Sequence, residues 1–238
     1  MQLSVLFQDE HLVAIDKPAG ILVHRSRIDV QSSVFVLQTL RNQLGRRVYP
    51  IHRLDKPTSG VLLFALDPET ASRVGTDFSE RRVTKKYIAI VRGWTDDIGV
   101  IDYPLKVIRD RTTDGDKEID KPAQEAISRY KTISRCELDS EVGRYETARY
   151  SMVEIAPETG RKNQIRRHFK HIFHPIIGDR KFGDRDHNAF FKQHLHSHRL
   201  MLFATELVVT HPIHGEHLQI KAPFQPGEDL LRLFDVGD

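Results

Sequence analysis

Short apolar runs separated by polar breaks organise the start of the chain. Leu3-Ser4-Val5-Leu6-Phe7 and Leu12-Val13-Ala14-Ile15 flank the polar Gln8-Asp9-Glu10, a pattern that predicts a β-hairpin. Asp16-Lys17-Pro18-Ala19-Gly20 then breaks the strand, as proline and glycine do. Over residues 33–44 the apolar Val34, Leu37, Leu40 and Leu44 recur at spacings of three and four, which predicts an amphipathic helix stopping at Gly45. The continuous run 61–66 reads as a buried strand, and Pro68-Glu69 opens a helix to about residue 80, with proline at a tolerated first-turn position. Lys86-Tyr87-Ile88-Ala89-Ile90-Val91 is aromatic and β-branched, hence a strand.

Further along, residues 96–122 are charged and turn-rich and predict loops with short strands. Residues 126–133 and 147–155 read as two more strands. A basic helix is expected over 161–172, ending before His174-Pro175 because the residue ahead of a proline avoids the helical region. Strands at 202–210 and 217–221 precede a short terminal helix. No repeat and no linker interrupts the series. The pattern therefore predicts an α+β fold: a single domain over residues 1–238, with a central, mostly antiparallel mixed β-sheet flanked by helices and loops.

Composition narrows the class. With 39% hydrophobic and 29% charged residues among 238, the chain is neither disordered nor fibrous. One cysteine, Cys136, excludes an intrachain disulfide and any CxxC zinc spacing, and it suits a reducing, cytoplasmic compartment. The start shows no basic segment followed by a long apolar one, and no run reaches 18 apolar residues; neither a signal peptide nor a membrane span is expected. Net charge is only +3, but residues 161–199 hold ten Lys or Arg against three Asp, with seven His interleaved. Such a patch suits phosphates, or is a solvated helix face. The His-rich His194-Leu195-His196-Ser197-His198 matches no standard zinc spacing, so no metal is expected.

The densest chemistry lies in His52-Arg53-Leu54-Asp55-Lys56-Pro57-Thr58-Ser59-Gly60, directly before the buried run. Asp55 is its only carboxylate, and the flanking cations favour the ionised form. An ionised carboxylate there serves as nucleophile or base. It serves also as the cap of the Pro57-to-Gly60 turn. On composition alone the turn reading is the favoured one.

This stretch resembles the signature of the RluA family of pseudouridine synthases, and further motifs of that family follow in the same order. "DKPAGILVH" (residues 16–24), "KKYIAIVRG" (85–93), "TGRKNQIRRH" (159–168), "HPIIGD" (174–179), "HPIHGE" and "IKAP" extend the likeness from about residue 5 to 223. "LVHRS" (22–26), "TARYSMVEI" (147–155) and "IGDRKFGDRDHN" (177–188) are similar to one branch, whose substrate is the uridine at position 65 of tRNA.

The resemblance implies an isomerase that detaches uracil from C1′ of its ribose, turns it and rejoins it through C5, with no cofactor. It implies Asp55 as the catalytic carboxylate, Arg166 as the arginine that pairs with it, and Tyr87 as the aromatic that stacks on the target base. Arg53 is expected to insert where the extruded nucleotide was. RNA contacts are expected at His52, Arg161, Lys162, Gln164, Arg167 and His168, although His52 and Thr58 also suit holding the loop's shape. Gly60 is expected to give the backbone room. Asn163 stands where the family usually has histidine, so proton transfer there is not expected. Since the first strand begins at Leu3, no accessory RNA-binding module is expected before it, and the protein is expected to act as a monomer on tRNA.

Three alternatives bear weighing. One is the same chemistry on ribosomal RNA or at another tRNA position. Another is a catalytically silent RNA-binding protein, for which Asp55, Tyr87 and Arg166 would have no use. The third is a glycoside hydrolase, which would need a second facing acid that no motif supplies.

Overall fold

A computed structural model describes residues 1–24, 34–108 and 122–234. In chain order the elements are β1 (Ser4–Gln8), β2 (Leu12–Lys17), α1 (Val36–Leu44), β3 (Tyr49–Pro50), β4 (Ser59–Ala65), α2 (Pro68–Ser79) and β5 (Thr84–Arg92). They continue with β6 (Ile98–Asp102), β7 (Ile127–Leu138), β8 (Ala148–Pro157), α3 (Gln164–His171), α4 (Arg185–His194), β9 (Leu202–Thr210), β10 (His217–Lys221) and α5 (Glu228–Leu233). The ten strands form a mixed sheet flanked by helices, the α+β architecture the sequence pattern predicts. Arg25 and Ser26 of the upstream motif, residue 33 of the expected first helix and residues 109–121 of the expected loop region lie outside the described residues.

Two compact units divide the chain, and each interleaves several stretches of sequence. The first comprises residues 1–85, 104–124 and 204–222. Here β2 pairs antiparallel with β1 and β4, β3 adds to β4, and β10 pairs with β9. Every residue of β4 is buried, which is why its sequence is a continuous apolar run instead of an alternation. Leu12, Ala14, Val61, Leu63, Val74, Leu207 and Ile220 build the core of this unit. Asp67 caps α2 by accepting from the Thr70 N–H at 2.8 Å, with Pro68 in the first turn. Helix α1 starts later than the apolar spacing predicts, because Phe35 is extended and offers no capping side chain. It ends at Gly45 in the left-handed conformation, as expected.

The second unit comprises residues 86–103, 125–203 and 223–238. Its strands run β5-β8-β7-β6, and the β5–β8, β7–β8 and β6–β7 pairings are all antiparallel. Helix α3 buries Ile165 and Phe169 in a core with Ile155, Tyr150, Ile177 and Phe191. The expected helix over 161–172 begins only at Gln164, because Asn163 is left-handed (φ 56) and opens the helix with a turn. Asparagine is among the few residues that tolerate this backbone. Strand β7 runs past the expected end at 133, through a register irregularity between Thr132 and Ser134. Helix α4 was not anticipated; it starts where the Asp184 carboxylate accepts the N–H groups of Asp186 and His187.

Candidate active site

The signature loop is mounted on the buried end of β4, within the first unit. A backbone hydrogen bond closes its turn, the Thr58 N–H donating to the Asp55 carbonyl at 3.1 Å. Underneath sits Lys17, the last residue of β2 and fully buried. Its ammonium donates to the carbonyls of Pro18 (2.9 Å), Lys56 (3.2 Å) and Thr58 (2.8 Å). The Gly20 N–H adds a third tie to the loop, at the Lys56 carbonyl, 2.8 Å. A buried ammonium is costly unless its donors are met, and here two of the loop's carbonyls and that of Pro18 meet them. The segment carrying Asp55 is thereby stapled to the "KPAG" break. The sequence signal for Lys17 is its place within "DKPAGILVH", at the end of a strand whose first four residues are apolar.

Gly60 has the role expected of it. Its φ is 111, and a Cβ there would fall on the carbonyl of Ala204. Only glycine allows this approach.

His52 is half-buried, and its Nε2 accepts the Leu63 N–H at 3.1 Å. Its ring stacks on Phe78, centroids 4.8 Å apart. Burial, aided by the positive charge of Lys85, pushes the imidazole down to about 3. A neutral ring bonded to backbone shapes the loop, in keeping with the second of its two expected roles. Because the folded value lies below the ordinary 6.5, the stabilisation is complete above that pH and is lost as pH falls from 6.5 toward 3. The loss is at most about 1.4 kcal/mol per pH unit. Urea unfolding across this range is expected to show that slope in the wild type and a flatter one in His52→Gln, which keeps an acceptor but does not titrate. Identical slopes would remove His52 as the cause. Arg53 and Lys56 are exposed, and Asp55 is half-buried.

In the second unit, Tyr87 sits on β5 opposite Ile155, while Ile88 sits opposite Glu154. Successive residues thus face opposite sides, as the strand pattern requires. Tyr130 lies in register beside Ile155 on β7, so an apolar wall backs the Tyr87 side.

Arg166 is 8% exposed and its partner Asp179 1%. Nε donates to Oδ2 at 2.7 Å and Nη2 to Oδ1 at 2.8 Å, a bidentate fork. Nη1 donates to the Asn163 side-chain oxygen at 2.8 Å. At least three of the five guanidinium N–H groups are thus spent on orienting the arginine, and Asn163 does by hydrogen bonding what needs no titration. The guanidinium also lies over the Phe182 ring, 5.1 Å from its centroid.

Asp179 is itself held. Burial pushes its carboxyl up, but Arg166 and the N–H groups of Phe182 and Lys181 outweigh burial and keep it below the usual carboxylate value. Around it the Asn188 amide, from α4, accepts the Gly178 N–H at 2.6 Å and donates to the Asp179 carbonyl at 3.0 Å. A Cβ at Gly183 would fall on that same carbonyl. Asp179 was quoted within "HPIIGD" but given no role; an acid between two glycines, next to a basic helix, was its signal.

Gln164 and His168 are corrected from RNA contacts to internal ones. The Gln164 amide accepts from Thr159 Oγ1 (2.7 Å) and the Arg161 N–H (2.9 Å), and donates to the Ile127 carbonyl (2.9 Å) and Ser128 Oγ (3.0 Å). His168 is fully buried between Ser128 Oγ and the Tyr103 carbonyl. Burial pushes its imidazole down, so it adds no reliable cation. Both residues tie α3 to β7 and are buried. Arg161, Lys162 and Arg167 are half-buried, and Lys170 is exposed.

Among the described residues, no group of three or more His, Cys, Asp or Glu is placed to hold a metal ion. No helix among them is long and apolar enough to cross a membrane.

Comparison with known proteins gives the family. The sequence profile of the family described as RNA pseudouridylate synthase matches residues 11–171. A tRNA pseudouridine synthase C of Vibrio parahaemolyticus is 49% identical over 222 residues, covering 93% of this chain and 90% of the relative. A tRNA pseudouridine synthase C of Pasteurella multocida is 49% identical over 236 residues, covering 99% and 97%. The solved structure of Human RNA Pseudouridylate Synthase Domain Containing 4 superposes with a TM-score of 0.68 at 27% identity, covering 93% of this chain and 88% of that one. With the profile spanning the signature loop, Tyr87 and Arg166, and relatives matched over nearly their whole length, the chain belongs to the RNA pseudouridylate synthase family.

Proposed function

We propose that the protein isomerises uridine to pseudouridine in tRNA, at position 65, as a monomer in the cytoplasm. The observation that carries this reading is the stapled loop: an acid-bearing turn fixed by a buried ammonium to a fully buried strand. Such fixity is what a reacting carboxylate needs and what a solvated turn does not. The names of the relatives at 49% identity support tRNA as the RNA.

In this reading Asp55 acts on the ribose as nucleophile or base while the C1′–N1 bond breaks. Uracil turns, C1′–C5 forms, N1 gains a proton and C5 loses one. The product is an isomer of the substrate, so the balance calls for no oxidant, nucleotide or metal. Tyr87 stacks on the target base, Arg166 supplies a cation of fixed orientation, and Arg53 fills the gap left by the extruded base. Arg161, Lys162 and Arg167 serve the RNA backbone, so affinity falls steeply with salt.

The test is incubation with unmodified tRNA and, separately, ribosomal RNA, followed by pseudouridine mapping at single-nucleotide resolution. One modified uridine, at tRNA position 65, is expected. Modification of ribosomal RNA alone would move the substrate, and binding without any modification would make the protein a silent RNA binder.

A further inference from the structure

Helix α3 ends in a hydrogen-bond pair that fixes an unusual residue. The His174 N–H donates to the Phe169 carbonyl (2.9 Å) and the Phe173 N–H to the Lys170 carbonyl (3.1 Å), the two bonds of a Schellman cap. This cap puts Phe173 in the left-handed slot, at φ 65. Glycine is the usual occupant, because a side chain there crowds the next carbonyl. Phe173 is also 80% exposed. It gains neither backbone ease nor burial, so folding does not account for a large ring at this position.

Its surroundings are cationic and aromatic. Lys170 and His171 are exposed on the last turn of α3. Tyr103, 43% exposed, stacks on the His171 ring with centroids 3.6 Å apart and planes at 14°. The backbone carrying Phe173 is held as well. Arg92 donates through Nη2 to the Phe173 carbonyl (3.3 Å), and its own position is set by Asp184, which accepts from Nη1 at 2.5 Å. A rigidly presented aromatic face beside an ammonium matches a ligand that is aromatic and anionic at once. A nucleotide is that ligand: every base has a π-face, and every linkage a phosphate.

We infer that Phe173 is a stacking platform for an unpaired base of the RNA substrate, with Lys170 on the adjoining phosphate. This base is distinct from the target uridine assigned to Tyr87. The inference rests on the reading of the protein as an RNA-modifying enzyme. It extends the RNA-contacting surface to the C-terminal end of α3, which the sequence motifs leave unassigned.

The experiment compares Phe173→Gly, Phe173→Leu and Phe173→Trp in the full-length protein. Kd for unmodified tRNA is read by fluorescence anisotropy at several salt concentrations, KM from pseudouridine formation, and Tm in parallel. Loss of one stacked base is expected to weaken Kd and raise KM by roughly 5- to 150-fold in Phe173→Gly. Tm should stay level or rise, since glycine suits the backbone. The tryptophan variant retains affinity, and the leucine variant, lacking a π-face, loses it as glycine does. Lys170→Ala should lower the slope of log affinity against log salt by about one, while Phe173→Gly leaves the slope in place. Kd and KM within twofold of wild type in Phe173→Gly would overturn the inference. So would full affinity in Phe173→Leu, the mark of a plain apolar contact such as a protein partner makes. If wild-type protein modifies no RNA yet Phe173→Gly weakens tRNA binding as described, the stacking site stands and the enzymatic reading falls.

Discussion

Asp55→Asn is expected to bind tRNA with wild-type affinity and to form no measurable pseudouridine. Asparagine keeps the shape and the hydrogen-bonding reach of the side chain but can neither attack C1′ nor take a proton. The rate loss should reach at least about 10⁴-fold, the upper end of what a positioned acid–base group contributes. Folding should survive, because the turn is closed by the Asp55 carbonyl and the loop is held by the Lys17 ammonium, neither of which the substitution alters. The checks are mapping of the product RNA at long incubation, a binding isotherm and a Tm. Substantial residual isomerisation by well-folded protein would remove Asp55 from the chemistry. Loss of binding together with activity would make it a structural or RNA-contacting residue instead.

The second large effect is on stability. Asp179→Ala should cost about 3–5 kcal/mol, because it removes the bidentate counter-charge of an Arg166 side chain that is 8% exposed. For a domain of this size the unfolding midpoint should fall by roughly 6–20 °C. Arg166→Ala should cost a similar amount, since the carboxylate then loses its counter-charge. Arg166→Met combined with Asp179→Leu should be less damaging than the two singles added, as expected when neither charge is left alone. Additive losses in that double-mutant cycle would contradict the coupling. The pair also sets a pH dependence. The folded carboxyl of Asp179 lies below its ordinary 3.8, so its stabilisation is complete above that pH and is lost as pH falls through the lower folded value. That loss occurs at more acid pH than the loss assigned to His52, so denaturation curves between pH 7 and 2 separate the two.

Most elements were legible because local pattern and final environment agree. The apolar run at 61–66 became β4, buried along its whole length, and Pro68 opened α2 behind an aspartate cap. Gly45 ended α1 in the left-handed conformation that glycine permits. Helix α4 escaped notice because its His-rich, charged sequence offers a weak apolar stripe; only His187 and Phe191 are buried on it. The start of α3 was misplaced by three residues because the left-handed turn at Asn163 carries no hydrophobic period.

The sequence by itself determined most of the elements, the signature loop and the family, because hydrophobic period, turn residues and ordered motifs are all local properties. What it could not determine was where each polar group spends its hydrogen bonds. Gln164 and His168 read as cationic-helix residues for RNA, yet the fold turns them inward onto Ser128. Lys17 reads as a charge after a strand, yet it lies beneath the loop of Asp55 and donates to the Lys56 and Thr58 carbonyls of that loop. Asp179 reads as a turn acid, yet it grips Arg166 across thirteen positions of chain. A buried polar atom must find a partner at hydrogen-bond distance. Which partner it finds depends on residues brought together from distant positions, and only the tertiary structure decides that.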